Sequence, residues 1–323
     1  MTVGRRANRG QLSVEALVTR ARGGDPRAVA RLISLVEDAS PLLREVAERL
    51  APHTGSAEVI GITGAPGVGK STSTSALVTV LRQAGRRVGV LAVDPSSPFS
   101  GGALLGDRVR MQEHATDAGV YIRSMASRGH LGGLAWAAPQ AIRVLDAAGC
   151  EVVLVETVGV GQSEVDVAGL ADTTVVLLAP GMGDGIQAAK AGILEIGDVY
   201  VVNKADRDGA DTVVRELRSV LSLGFEAGDW RPPIVKTVAQ TGEGVADEVA
   251  AIARHRERLE STGELEARRR RRARDEVEAI AVTALRRRFG DLHGHADLDA
   301  LADDVAAGIL DPYTAADRLV DAL

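Results

Sequence analysis

The chain has 323 residues, a formal net charge of -6, a pI near 5.6 and 45% hydrophobic residues. That length holds one large α/β domain with appended elements, or two domains, and the acidic balance argues against a general nucleic-acid binder. No apolar run approaches the roughly 20 residues of a membrane span, MTVGRRANRGQLSVEAL lacks the apolar core of a signal peptide, and the single Cys150 excludes an internal disulfide framework; a cytoplasmic protein with no membrane or nucleic-acid partner is expected.

Residues 1–52 read as an N-terminal helical segment. VEALVTRA and RAVARLISLVEDA carry apolar residues at helical spacing, with GGDP as the break between them. SPLLREVAERLAP adds a third helix, with Ser40 as a candidate N-cap and Pro41 at the first helical position.

Over 53–258 short β-rich apolar runs alternate with helical stretches. EVIGIT, RVGVLAV, VYIRSM, EVVLVET, TTVVLLA, DVYVVN and PIVKTV are the strand candidates. Continuous apolar runs of this kind suit a mostly parallel sheet buried on both faces, with crossover helices between strands. The fold class expected is α/β, with a mostly parallel central sheet flanked by helices. Residues 259–323 read as a C-terminal helical extension. A long charged helix, or two broken near STGE, starts at about 244 and includes the basic run RRRRRAR, read as a solvated face or an intersubunit contact. DLDALADDVAAGILDPYTAADRLVDAL adds two short amphipathic helices, with DPYT as the turn.

The most specific motif is GAPGVGKS, which fits G-x-x-x-x-G-K-[ST] between a strand and a helix. Gly64, Ala65, Pro66, Gly67, Val68 and Gly69 form the loop, and Thr72 follows it. The glycines let backbone N–H groups point at phosphate oxygens, and the helix start adds its positive end. Lys70 supplies a charge to the β and γ phosphates, and Ser71 a hydroxyl to magnesium. The lysines are only Lys70, Lys190, Lys204 and Lys236, so a chance match is remote.

VYVVNKAD ends a strand with Asn203, Lys204 and Asp206, an N-K-x-D about 130 residues beyond the phosphate loop. The carboxylate can accept hydrogen bonds from guanine N1–H and the exocyclic amine, a pattern adenine does not offer. VKTVAQTGEGV follows the next strand and resembles the GTPase loop whose backbone touches the guanine carbonyl; that resemblance implies that Ala239 sits over the base edge. GTP and GDP are the expected substrate and product.

Magnesium needs further oxygen donors. Asp94 ends RVGVLAVD, Asp107 sits in GGALLGDRVRM, and Glu156 ends EVVLVET, with Gly159 positioned to turn its amide toward a γ phosphate. Glu156 occupies the place of the usual metal-side aspartate in D-x-x-G, one methylene longer. Ser71, Asp94, Asp107 and Glu156 are therefore the candidate Mg2+ shell, and Lys70, Glu156 and Gly159 the candidate catalytic group. Val160 follows Gly159 and cannot orient water, so slow intrinsic hydrolysis is expected. GMGDGIQAAKAG, with Asp184 and Lys190, is a candidate coupling segment.

Together GAPGVGKST, LAVDPSSPFSGGALLGDRVRM, VETVGVGQSE, GMGDGIQAAKAGI and NKAD resemble the MeaB/ArgK family of P-loop GTPases over about residues 1–290. E-x-x-G is the form that the resemblance leads one to expect at Glu156. The resemblance implies a GTPase chaperone of adenosylcobalamin-dependent methylmalonyl-CoA mutase that gates cofactor loading and protects or repairs the mutase. It also implies a homodimer held through C-terminal helices. A stripe of Val277, Ile280, Ala281, Ala284 and Leu285 at helical spacing fits such a contact. The competing readings are another cobalamin-dependent acyl-CoA mutase as client, a nickel metallochaperone GTPase, and an ATP-dependent kinase.

Overall fold

The computed structural model describes residues 13–95, 111–127, 137–157, 163–181, 192–222, 230–289 and 296–321. Helices α1 (Val14–Arg22) and α2 (Pro26–Glu37) start at side-chain caps: Ser13 accepts from the Ala16 N–H, and Asp25 from the Arg27 and Ala28 N–H groups. Helix α3 (Leu43–Leu50) begins later than expected. Ser40 Oγ accepts from Leu42 N–H at 3.2 Å and so closes a turn ahead of the helix instead of capping it.

The seven expected strands all form. They are β1 (Glu58–Gly64), β2 (Val88–Pro95), β3 (Val120–Ser127), β4 (Val152–Thr157), β5 (Thr173–Leu178), β6 (Val199–Asn203) and β7 (Ile234–Thr237). They make one sheet in the order β3-β2-β4-β1-β5-β6-β7, and every pairing is parallel. All carboxyl ends therefore meet at one edge, and the order reverses on either side of β1, where α/β sheets hold their ligands.

Strand alternation divides the core. Ile60, Ile62, Val90, Leu154, Val175, Leu177 and Val201 share a cluster with Leu77 and Val78 of α4 (Lys70–Gln83) and with Val245 and Ile252 of α7 (Val245–Thr262). On the opposite face Val59, Leu91, Val93, Val153 and Val155 pack with α5 (Ala138–Ala147) and with α1 to α3. Val176, Leu178, Tyr200 and Val202 of that face meet α6 (Ala210–Leu221). The N-terminal helices thus belong to the layer on one side of the sheet.

Asp146 of α5 ties their connection to β1, accepting from the Ser56 hydroxyl at 2.9 Å and the Ala57 N–H at 3.1 Å. At the amino-terminal edge of the sheet, Asp198 collects Arg268 Nη1 at 3.1 Å, Thr174 N–H at 2.9 Å and His255 Nε2 at 3.2 Å. His255 Nδ1 lies 2.9 Å from Thr173 Oγ1. This network holds the end of α7 and the start of α8 (Glu264–Phe289) to the sheet. The break between the two helices falls at Gly263, within the expected STGE.

Residues 1–268 form one compact unit and 269–323 a second. In the second, α9 (Ala296–Ala306) and α10 (Pro312–Asp321) pack on each other. DPYT is not the turn expected there. Asp311 accepts from the Tyr313 and Thr314 N–H groups, so DPYT is the cap and first turn of α10.

Gly61 allows a close approach to β1. A Cβ there would lie 2.9 Å from Val167 Cγ2 and 3.0 Å from Ala171 Cβ. The absent side chain lets the segment after a single helical turn, Ser163–Asp166, press on β1. Gly61→Ala should lower unfolding free energy by about 1–3 kcal/mol through overpacking. Urea denaturation measures this, and an unchanged midpoint would show that the segment yields freely.

Candidate functional site

The phosphate loop joins β1 to α4 at the ligand edge. Gly69 is the N-cap residue of α4, at φ 97°, with no side-chain cap. A Cβ on it would sit 2.5 Å from Asn203 Nδ2, so only glycine suits both the left-handed backbone and the close approach. The helix start presents backbone N–H groups and a positive dipole end, the ordinary features of an anion site. Lys70 is buried, and its ammonium donates to the Gly64 carbonyl and, at 3.2 Å, to the Ala65 carbonyl. The loop's own carbonyls hold the charge that a phosphate would draw outward.

The base side is built onto this loop. Asn203 ends β6, fully enclosed. Its Nδ2 donates to the Val68 carbonyl at 2.9 Å; its Oδ1 accepts from Ala239 N–H at 3.1 Å and Thr237 Oγ1 at 3.3 Å. Lys204, with φ 58°, turns the chain back so that Nζ donates to the Gly67 carbonyl at 2.7 Å. Its stem lies over the loop, with Cε close to Gly69. Asp206 is exposed, and no hydrogen bond occupies its carboxylate among the described residues. The 239 loop closes through a Val238–Glu243 bridge before α7 begins. The Ala239 amide, assigned from sequence to the base edge, is engaged by Asn203 here.

On the third side, Glu156 ends β4 with zero exposure. In register it lies between Ile62 of β1 and Ala92 of β2. Ser71 Oγ donates to Glu156 Oε1 at 2.6 Å. The next residue, Thr157, donates to Thr63 Oγ1 at 3.3 Å, joining the same strand ends one step further on. Asp94 lies two positions beyond Ala92, the β2 residue in register with Glu156. Asp107, Gly159, Asp184 and Lys190 lie outside the described residues. A hydroxyl and a carboxylate in contact are hard oxygen donors suited to magnesium, which takes few protein ligands and completes its shell with water and phosphate. Among the described residues no group of three His, Cys, Asp or Glu is arranged to hold a metal. Cys150 is buried, and burial pushes its thiol up to about 12, so it stays protonated at neutral pH.

Two features escaped the sequence. Ser75, one turn beyond Ser71, contacts Glu113 and, at 3.1 Å, His114 Nε2, fastening the 112–114 turn to the phosphate-loop helix. Glu248 is wholly buried within α7. Its signal was available: Val245, Glu248, Ile252, His255 and Leu259 share a helical face, and Glu248 falls in line with them.

A strand–loop–helix phosphate site braced by an N-K-x-D loop defines a P-loop GTPase. The comparisons agree. The model of the family described as methylmalonyl Co-A mutase-associated GTPase MeaB matches residues 29–292, and the chain belongs to that family. A homologue from Pyrococcus abyssi is 47% identical over 310 residues, covering 95% of this chain and 96% of its own. GTPase ArgK of Escherichia coli is 37% identical over 257 residues, 77% of this chain and 78% of its own. A crystal structure described as LAO/AO transport system kinase superposes with a TM-score of 0.74 at 26% identity, covering 97% of this chain and 99% of that one. The protein is a GTP hydrolase.

Asn203→Ala would strip the Val68 carbonyl and Ala239 amide of their buried partner. The ligand-free protein should lose at least about 1–3 kcal/mol of stability, and GDP affinity should fall with it. Chemical denaturation and calorimetry check the pair; intact stability would show that water replaces the amide without cost.

Proposed function

We propose that this GTPase acts with Mg2+ as a chaperone of an adenosylcobalamin-dependent methylmalonyl-CoA mutase, gating cofactor loading and protecting or reactivating the mutase. Family membership supports the client. The observation that carries the nucleotide part is the meeting of Val68, Asn203, Lys204 and Ala239 in one hydrogen-bonded unit beside a buried Ser71–Glu156 pair. The domain division follows the sequence reading: 1–52 helical, 53–258 nucleotide-binding, and 259–323 an extension that pairs two copies. Exposed Val277 (68%), Ile280, Val282 and Leu285 on α8 support that pairing.

In this reading Gly64 to Thr72 wrap the phosphates, and Lys70 exchanges its two loop carbonyls for β and γ oxygens. Asp206 accepts from guanine, the Lys204 stem covers the base, and Ala239 lines its edge. Ser71, Asp94, Asp107 and Glu156 would hold Mg2+, which would supply charge neutralisation to the phosphates. Water attacks the γ phosphorus, the bond to the bridging oxygen breaks, and GDP and phosphate result. Gly159 offers its amide to the γ phosphate. The mutase supplies the ordering that Val160 does not.

Three measurements test this. Asp206→Asn should reverse preference from GDP toward xanthosine diphosphate; equal calorimetric affinity of the unaltered protein for ADP and GDP would refute the guanine assignment. Glu156→Ala should cut GTP turnover far more than GDP affinity, since GDP keeps its loop contacts; an unchanged rate with mutase present removes Glu156 from the mechanism. Purified mutase should accelerate hydrolysis in the unaltered protein, and light scattering should give twice the 33.7 kDa chain mass. No acceleration, or a monomer at micromolar concentration, would overturn the corresponding part.

A further inference from the structure

Glu248 is the group for which the GTPase reading has no use. It sits on the first turn of α7, nine residues after Ala239, and its own N–H donates to the Gly244 carbonyl at the end of the base-edge loop. Its side chain has zero exposure, and neither carboxyl oxygen has a hydrogen-bond partner among the described residues. A buried acid without a partner is costly in either form and far costlier ionised.

The interface around it is nearly charge-free. Helix α7 packs on α4, β5, β6 and β7. Ser75, Thr79 and Arg82 of α4 face the 113–117 segment. Helical periodicity then puts Ser73, Leu77 and Val80 on the opposite flank, toward α7. Ser73 Oγ is itself buried without a hydrogen-bond partner. The ionic groups of these elements are engaged elsewhere. Lys70 is held by loop carbonyls and Arg82 by Asp117. Asp198, just before β6, holds Arg268 and His255, while Lys236 of β7 pairs with Asp211 at the surface. Burial alone pushes the Glu248 carboxyl up to about 8, with no neighbouring charge contributing.

We propose that Glu248 is a proton-linked latch for the guanine nucleotide. As an uncharged acid it lets α7 seat against the phosphate-loop helix; ionised, it separates the two helices and loosens the base-edge loop that leads into α7. Nucleotide bridges the two parts, because Lys70 and Ser71 open α4 while Ala239 belongs to the loop before α7. The latch therefore rests on the guanine-site reading. The seated state keeps its proton to about pH 8, whereas a loosened, hydrated carboxyl ionises near its ordinary value of 4.5. Between those limits the seated state binds more protons, so rising pH weakens it, and the advantage is gone above the upper limit. Nucleotide binding should draw protein into the seated state and take up a fraction of a proton at pH 7.5.

Calorimetry of GDP binding, at pH 7.5 in buffers of different ionisation enthalpy, reads that uptake directly. The unaltered protein should take up more protons per GDP than Glu248→Gln. Its GDP dissociation constant should rise several-fold from pH 6 to 8 relative to that variant, whose comparison removes titration of GDP itself. Glu248→Leu, which fills the site without an orphaned polar group, should behave like Glu248→Gln and resist urea better than the unaltered protein at pH 8. Equal proton uptake and parallel pH profiles in all three proteins overturn the latch. Absence of GDP binding altogether would instead overturn the guanine site, and the latch with it.

Discussion

Asn203 has one side-chain amide and three chain segments to satisfy with it. The Val68 carbonyl in the phosphate loop, the Ala239 amide and the Thr237 hydroxyl all end on its two polar atoms. A buried primary amide has two donors and two acceptor lone pairs, so nearly its whole capacity is spent on joining these segments. The neighbouring chemistry follows from the join. Gly69 cannot carry a side chain because Asn203 Nδ2 occupies the space. Lys204 takes a left-handed backbone conformation because its predecessor is fixed inside and its ammonium must reach Gly67 outside. A phosphate site and a base site on separate loops are thereby tied together.

The all-parallel sheet makes such a join possible. With every strand in the same direction, β1, β4 and β6 deliver Gly64, Glu156 and Asn203 to a common edge. The opposite edge holds the Asp198 network instead. Helix α7 runs from the base-edge loop at its start to His255 and that network near its end. It thereby links the guanine side to the root of α8, so a change in its seating has a route along the sheet.

The strands were legible because parallel strands buried on both faces carry apolar runs that solvent-facing elements do not, as in EVVLVET and TTVVLLA. The phosphate and base loops were legible because their chemistry depends on local spacing. Errors came where a local signal had two readings. Ser40 before Pro41 looks like a helix cap, yet the hydroxyl closes a turn two residues early. DPYT contains turn residues, and Asp311 with Pro312 is equally a helix start. The Ser75–His114 contact and the Asp198 network join residues far apart in sequence, and no spacing rule announces them. Glu248 stands between these cases: the face it occupies could be read from periodicity, while the absence of a partner needed the neighbouring helix.

The glutamate at the end of β4 follows from the same geometry. Its backbone is fixed by register with Ile62 and Ala92, and Ser71 is fixed by the first turn of α4. Between those fixed points Oε1 meets the Ser71 hydroxyl at 2.6 Å. An aspartate on the same Cα would fall short by one carbon–carbon bond, about 1.5 Å, and a water would have to fill the gap. The longer side chain thus lets the strand end and the helix start touch directly. Under the proposed assignment, Ser71 and Glu156 would both hold magnesium as hard oxygen donors, in place of part of their contact with each other. The Thr157–Thr63 contact follows one residue later, so two side-chain bonds in succession tie the end of β4 to the phosphate-loop elements β1 and α4.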